Sequence, residues 1–388
     1  MQRKNLLPII LLMPLATAAT AIADPIREEE RAYQGKVFKQ YWDVELDYRL
    51  GKLPTEGGVR KFRIPYSGHD YPDANGGTDI AVGTQGRSPI RKYDRAFNDN
   101  RLLATSFERQ DVNAGQRVQH VYGLFGMSRQ IVTSGNPGWY GHCNAWTAAS
   151  IRHAEPQKSV VRNGVTFTPA DIKALLAEVY MYSETEHLGG VDHAINPATL
   201  HVVVTNWIGR CEVPIGMETR PGEVVYNYPI FAYKARVHEH NAKTYEVSMN
   251  VLMAYNNRYE HDKSPPQRKQ MTFHYLLDLD DDGKIVGGRY FGDSNRIDMF
   301  WWPLKPAQGG QEGNERGNPH IDAETVLAMW RDSVPEETRE LWLNIDPLEA
   351  DAELSPEAQP TKLWGGWKPR RKKAEPAADD GDVATSDE

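Results

Sequence analysis

The chain has 388 residues, room for one large domain or two ordinary ones, and 40% hydrophobic with 25% charged residues is the balance of a water-soluble protein with a core, not of a disordered chain. Its formal net charge of −8 excludes the basic excess that a nucleic-acid binder presents. With only two cysteines it is no disulfide-built scaffold. Cys143 and Cys211 either form one bridge or leave at least one working thiol.

Residues 1–23 read as an export signal. Arg3 and Lys4 give a basic start, Leu6 to Leu15 an apolar run, and Ala21-Ile22-Ala23 a small-x-small cleavage pattern. The run falls short of the roughly 20 residues of a membrane span. The expectation is cleavage near Ala23 and a periplasmic or secreted protein with no integral membrane span. Residues 24–118 form an N-terminal region whose stretch RIPYSGHDYPDANGGTD reads as a long loop.

The chemistry starts at GWYGHCNAWTAAS. Cys143 follows a Gly-rich approach and precedes a helix-forming stretch, so its sulfur is predicted at a helix N-terminus. There the dipole and free N–H groups favour a thiolate and can hold an oxyanion. Trp146, the aromatic residue just after the cysteine, is given a packing role and, with Asn227, a part in binding substrate. Thr168-Pro169-Ala170-Asp171 is a helix start, and Ile172, Leu175, Leu176, Val179 and Tyr180 continue it at helical spacing.

The valine-rich run LHVVVTNW (200–207) is predicted as a strand. It would hold His201 rigidly as the base of a thiol enzyme, with His142 and His193 as rivals. Glu218 in PIGMETR and Asn227 in VYNYP both qualify as the third group that orients the imidazole. Further strands are predicted at 224–237, and at 245–253 and 271–279, where apolar residues alternate. Asp280-Asp281-Asp282-Gly283 turns the chain into KIVGGRYF. Asp278, Asp280, Asp282 and Gly283 match the opening of a calcium loop, but Arg289 stands where its last glutamate belongs, so a hairpin turn is the better reading and no metal ligand is assigned. A helix is predicted at 325–333, and from 346 onward a disordered tail containing KPRRKK. The class is α+β, helices followed by an antiparallel sheet.

Five segments in order, GHCNAWTAAS, FTPADIKALLAEVY, NPATLHVVVTNWIG, VVYNYPIFAYK and YLLDLDDDGKIVGG followed by GDSNRIDMFWWP, resemble the transglutaminase elicitor family of oomycetes and some bacteria. The resemblance implies a papain-like cysteine-enzyme core over residues 119–345, with the cysteine on an N-terminal helix beside an antiparallel sheet. It implies Cys143 as nucleophile, His201 as its partner, and Glu218 as the acidic residue ahead of VVYNYPIFAYK, the segment that looks like the family's signature peptide. The implied activity is protein-glutamine γ-glutamyltransfer, joining Gln and Lys side chains of protein or peptide substrates through a cysteine thioester. No cofactor is required by the sequence itself, and the resemblance adds calcium as an activator. The chain departs from the family at Tyr228, which stands in place of Gln, and at Ile230-Phe231-Ala232, in place of Val-Arg-Gly. Two other readings stand beside this one: a papain-like cysteine peptidase or amidase, and a non-catalytic secreted binding protein with Cys143 tied to Cys211.

Overall fold

The computed structural model describes residues 24–80, 87–113, 117–122, 128–133, 136–190, 194–222, 224–258 and 261–343. The predicted export signal and the tail from 346 lie outside these residues. In chain order the elements are β1 (Asp24–Pro25), α1 (Glu28–Trp42), β2 (Glu56–Gly58), α2 (Pro89–Phe97), α3 (Leu103–Val112), β3 (Arg117–Tyr122), β4 (Ser128–Thr133), α4 (Cys143–Arg152), β5 (Val160–Arg162), β6 (Val165–Phe167), α5 (Pro169–Tyr180), β7 (Thr185–Gly190), α6 (Pro197–Val204), β8 (Ile215–Glu218), β9 (Asn227–Asn241), β10 (Thr244–Ala254), β11 (Arg268–Leu279), β12 (Ile285–Tyr290), β13 (Met299–Pro303), α7 (Ala323–Ser333) and α8 (Glu336–Leu343).

Period-two patterning builds the centre. In β10, Val247, Met249, Val251 and Met253 are buried, as are Phe273, Tyr275 and Leu277 of β11. They meet in antiparallel register, Met249 opposite Phe273 and Val247 opposite Tyr275. The sheet runs β1-β12-β11-β10-β9-β8-β13-β7, with β2 added on β9. The hairpin between β11 and β12 turns at Gly283, whose φ is +71°, and Asp280 Oδ1 accepts from the backbone N–H of Asp282 and of Lys284, each at 2.9 Å.

Helices cover the sheet. The start of α5 is a full capping box: Thr168 Oγ1 accepts from the Asp171 N–H while Asp171 Oδ2 accepts from the Thr168 N–H. Behind it, Lys92 Nζ donates to Asp171 Oδ2 at 2.6 Å in a buried pair. The cysteine-bearing helix α4 is the first described helix within residues 119–345, and α1, α2 and α3 precede it in the chain. Residues 24–118 are built into the same sheet through β1 on β12 and β2 on β9.

The predicted strand at 200–207 is instead helical. Residues Pro197–Val204 form α6, and Thr205–Arg210 continue as a π-helical turn. Asn196 Oδ1 caps the helix by accepting from the Ala198 N–H at 2.8 Å, and Pro197 fills the first turn. All of α6 is buried. A helix without a polar face shows no 3.6-residue pattern, and burial overrides the strand preference of its valines. Among the described residues no helix is long and apolar enough to cross a membrane.

Candidate active site

Cys143 is the first residue of α4, after His142 at the N-cap. The approach is tied down from behind by the Gly- and Pro-rich segment 63–79. The His142 N–H donates to Asp70 O at 2.5 Å. Trp146, 1% exposed, donates its indole N–H to Asp70 Oδ1 at 2.8 Å, and Asn256 Nδ2 donates to Asp70 Oδ2 at 2.6 Å. A Cβ on Gly68 would stand 2.6 Å from the Trp146 ring, so only glycine lets the loop pass this close. Trp146 is therefore an internal anchor, edge-on to Tyr228, and not among the residues lining the cleft; its expected place beside substrate is corrected.

In front of Cys143 lies a cleft of about 480 Å³. Its floor is one face of the sheet. Glu218 pairs with Asn227 across β8 and β9, and Trp301 of β13 pairs with Gly216 on one side and His187 of β7 on the other. Cys143, Glu218, Asn227, Trp301 and His187 all line it. The Thr147 hydroxyl, on α4, donates to Asn227 O at 3.0 Å and locks the cysteine helix to β9.

Asn227 is the residue closest in function to the sulfur. Its Oδ1 accepts from the Trp301 indole N–H at 2.7 Å, and an indole can only donate. This fixes which end of the amide is which, so Nδ2 points at Cys143 Sγ, 3.9 Å away. Asn227 Oδ1 keeps a second lone pair beside the one Trp301 uses, and both it and the Glu218 carboxylate, the two alternatives for orienting an imidazole, line the cleft.

The electrostatics reverse one expectation. Burial pushes the Cys143 thiol up to about 11 and the Asp70 carboxylate adds to the rise, against the lowering pull of the Asn227 backbone and side-chain N–H groups and the Asn144 N–H. The helix terminus alone therefore does not lower this thiol, because burial outweighs the N–H groups around it.

His201 is not at the cleft. It is carried by α6, 2% exposed, with Nδ1 2.8 Å from the Tyr275 hydroxyl, and burial pushes its imidazole down to about 3. Among the described residues no imidazole is hydrogen-bonded to Cys143 Sγ. His187 lines the cleft; His193 lies outside the described residues; His142 turns inward. Cys143 and Cys211 are both free, so the bridged, non-catalytic reading loses its basis. Sequence reasoning missed Asp70, His187 and the coupling of Trp301 to Asn227. The pairing of Trp301 with β7 and β8 arises from segments far apart in the chain, and no local spacing announces it.

The comparisons with known proteins bear on this geometry. Residues 126–189, which include Cys143, match the family model described as Transglutaminase elicitor. The chain resembles that family. Its fold is also that of a solved structure, the GP42 transglutaminase from Phytophthora sojae, with a TM-score of 0.64 and 22% sequence identity over 80% of this chain and 99% of that one. No curated protein matches.

Proposed function

We propose that the protein is an exported transglutaminase that joins glutamine and lysine side chains through a thioester on Cys143, in a papain-like arrangement of cysteine helix and sheet. The observation that carries the reading is the Asn227 amide, held by Trp301 with its N–H groups toward Cys143 Sγ at 3.9 Å. That is the placement of an oxyanion donor, fixed before substrate arrives. The family-model match and the shared fold support the choice of acyl transfer.

In the proposed reaction His187, which lines the cleft, takes the Cys143 proton as sulfur attacks the carboxamide carbon of a glutamine side chain, with Glu218 as the carboxylate that orients the imidazole. The new oxyanion accepts from Asn227 Nδ2 and the Asn144 N–H. The imidazolium returns its proton to nitrogen as the C–N bond breaks, releasing ammonia and leaving the thioester. A lysine amine then attacks, gives its proton to the imidazole, and expels the sulfur, which takes that proton back. Water in place of the amine makes the same site a deamidase.

Calcium, implied by the family resemblance, has no step here. In the acidic turn that resembles the opening of a calcium loop, Asp280 caps the turn, Asp281 pairs with Lys243 at 2.5 Å and Asp278 with Arg289 at 3.7 Å, so these carboxylates do not fit a calcium shell.

The test is incubation with a glutamine-containing protein and a labelled primary amine. Incorporation of label that disappears in Cys143→Ala is expected. Cleaved peptide bonds without incorporation would overturn the transferase in favour of a cysteine peptidase.

A further inference from the structure

Behind the nucleophile the His142 side chain enters the interior between two carboxylates. Its Nε2 is 3.6 Å from Glu108 Oε1 and 3.6 Å from Glu178 Oε1, beyond hydrogen-bond length in both cases. His142, Glu108 and Glu178 are 1%, 2% and 4% exposed, and none lines the cleft. The three atoms lie within 4.8 Å of one another. Each is braced from outside. Nδ1 of His142 is 3.3 Å from Tyr71 O, the Thr78 N–H donates to Glu108 Oε1 at 2.9 Å, and the Thr78 hydroxyl donates to Glu178 Oε1. The brace is closely fitted: Gly77 has φ +58°, and a Cβ there would fall 1.8 Å from Glu108 Oε1.

Two carboxylates buried side by side repel, and the imidazole between them donates a close hydrogen bond to neither. A divalent ion removes both costs. Two of the three separations are 3.6 Å and the third is within 4.8 Å, and tetrahedral zinc with bonds of about 2.0–2.2 Å spans edges of roughly 3.3–3.6 Å. The surroundings also suit zinc, with the second imidazole nitrogen facing a backbone carbonyl and the carboxylates hydrogen-bonded. One imidazole and two carboxylates leave calcium far short of the 6–8 oxygens it takes.

We propose that Glu108, His142 and Glu178 form a buried zinc site that clamps α3 and α5 to the N-terminus of the cysteine helix. The site is independent of the acyl-transfer reading, and its test does not use activity. The full chain is equilibrated with zinc, passed through gel filtration, and its metal content measured with its thermal midpoint. About one zinc per chain is expected, with a midpoint that falls on chelation and returns on adding zinc. Glu108→Gln and Glu178→Gln are expected to lose at least tenfold in zinc retention, and Cys143→Ala to keep it. A wild-type chain that holds no zinc, with a midpoint indifferent to zinc and chelator, overturns the proposal and leaves an ion network. Zinc lost in Cys143→Ala but kept in the Gln variants overturns it too, by placing the metal on the thiol. The wild-type measurement decides the question even where a variant fails to fold.

Discussion

His142 and Cys143 are neighbours in the chain and face opposite surroundings. In front, Cys143 meets an open cleft whose contacts to sulfur are neutral amide N–H groups. Behind, His142 meets two buried carboxylates and no solvent. Fixed amide dipoles suit a place where charge appears and vanishes in each turnover, because they need no reorganisation. Standing charges suit the side that only has to stay put. One residue of chain separates the reacting face of the helix terminus from its foundation.

The comparison breaks most sharply at the sulfur. Cys143→Ala is expected to bring amine incorporation to background while the thermal midpoint stays at the wild-type value; residual activity would move the chemistry elsewhere. Asn227→Ala is expected to lower kcat by roughly 10²–10³-fold with little change in KM, as removal of an oxyanion donor does, and Asn227→Asp to do the same, since a carboxylate offers no donor. A loss under about tenfold would reduce Asn227 to a structural role. Among histidines, His187→Gln is expected to cost about 10²-fold or more in kcat, and His201→Gln to leave kcat near wild type. The reverse order would restore His201 as the base. Trp301→Phe keeps the ring and frees the amide, and about a tenfold fall in kcat is expected from lost orientation.

The last expected effect is on acid stability rather than on rate. His201 is buried and held neutral, its imidazole lowered from 6.5 to about 3. The unfolded chain binds that proton first, so the stability His201 contributes is fully present above 6.5 and is lost as pH falls from there toward about 3. Denaturant midpoints measured across that window are expected to fall in the wild type and to flatten in His201→Gln.

What was legible in the sequence follows from what local pattern encodes. The Thr168 cap with Pro169, the alternation in β10 and β11, the Asp280 turn and α7 each carry their cause within a dozen residues, and all appear in the structure. The reading failed where burial was total. Nothing in HVVV distinguishes a strand from a helix sealed on every side, so His201 was placed on the wrong element. Cys143 was legible as a loop-to-helix cysteine, and Glu218 and Asn227 as polar residues on the strands beside it. The Trp301–Asn227 bond and the Glu108–His142–Glu178 cluster were not, because each joins residues that only the folded chain brings together.

The two sulfurs give the molecule a gauge of its own condition. Cys143 borders the cleft and Cys211 is sealed in the core, 5% exposed, with no bridge between them. An alkylating reagent should count one thiol in the folded protein and two in the unfolded one. The sheet owes nothing to a disulfide, so reducing agents should leave it standing, while an oxidant that reaches the cleft finds the Cys143 sulfur first. Thiol oxidation in the folded protein is thereby confined to a single sulfur, that of Cys143.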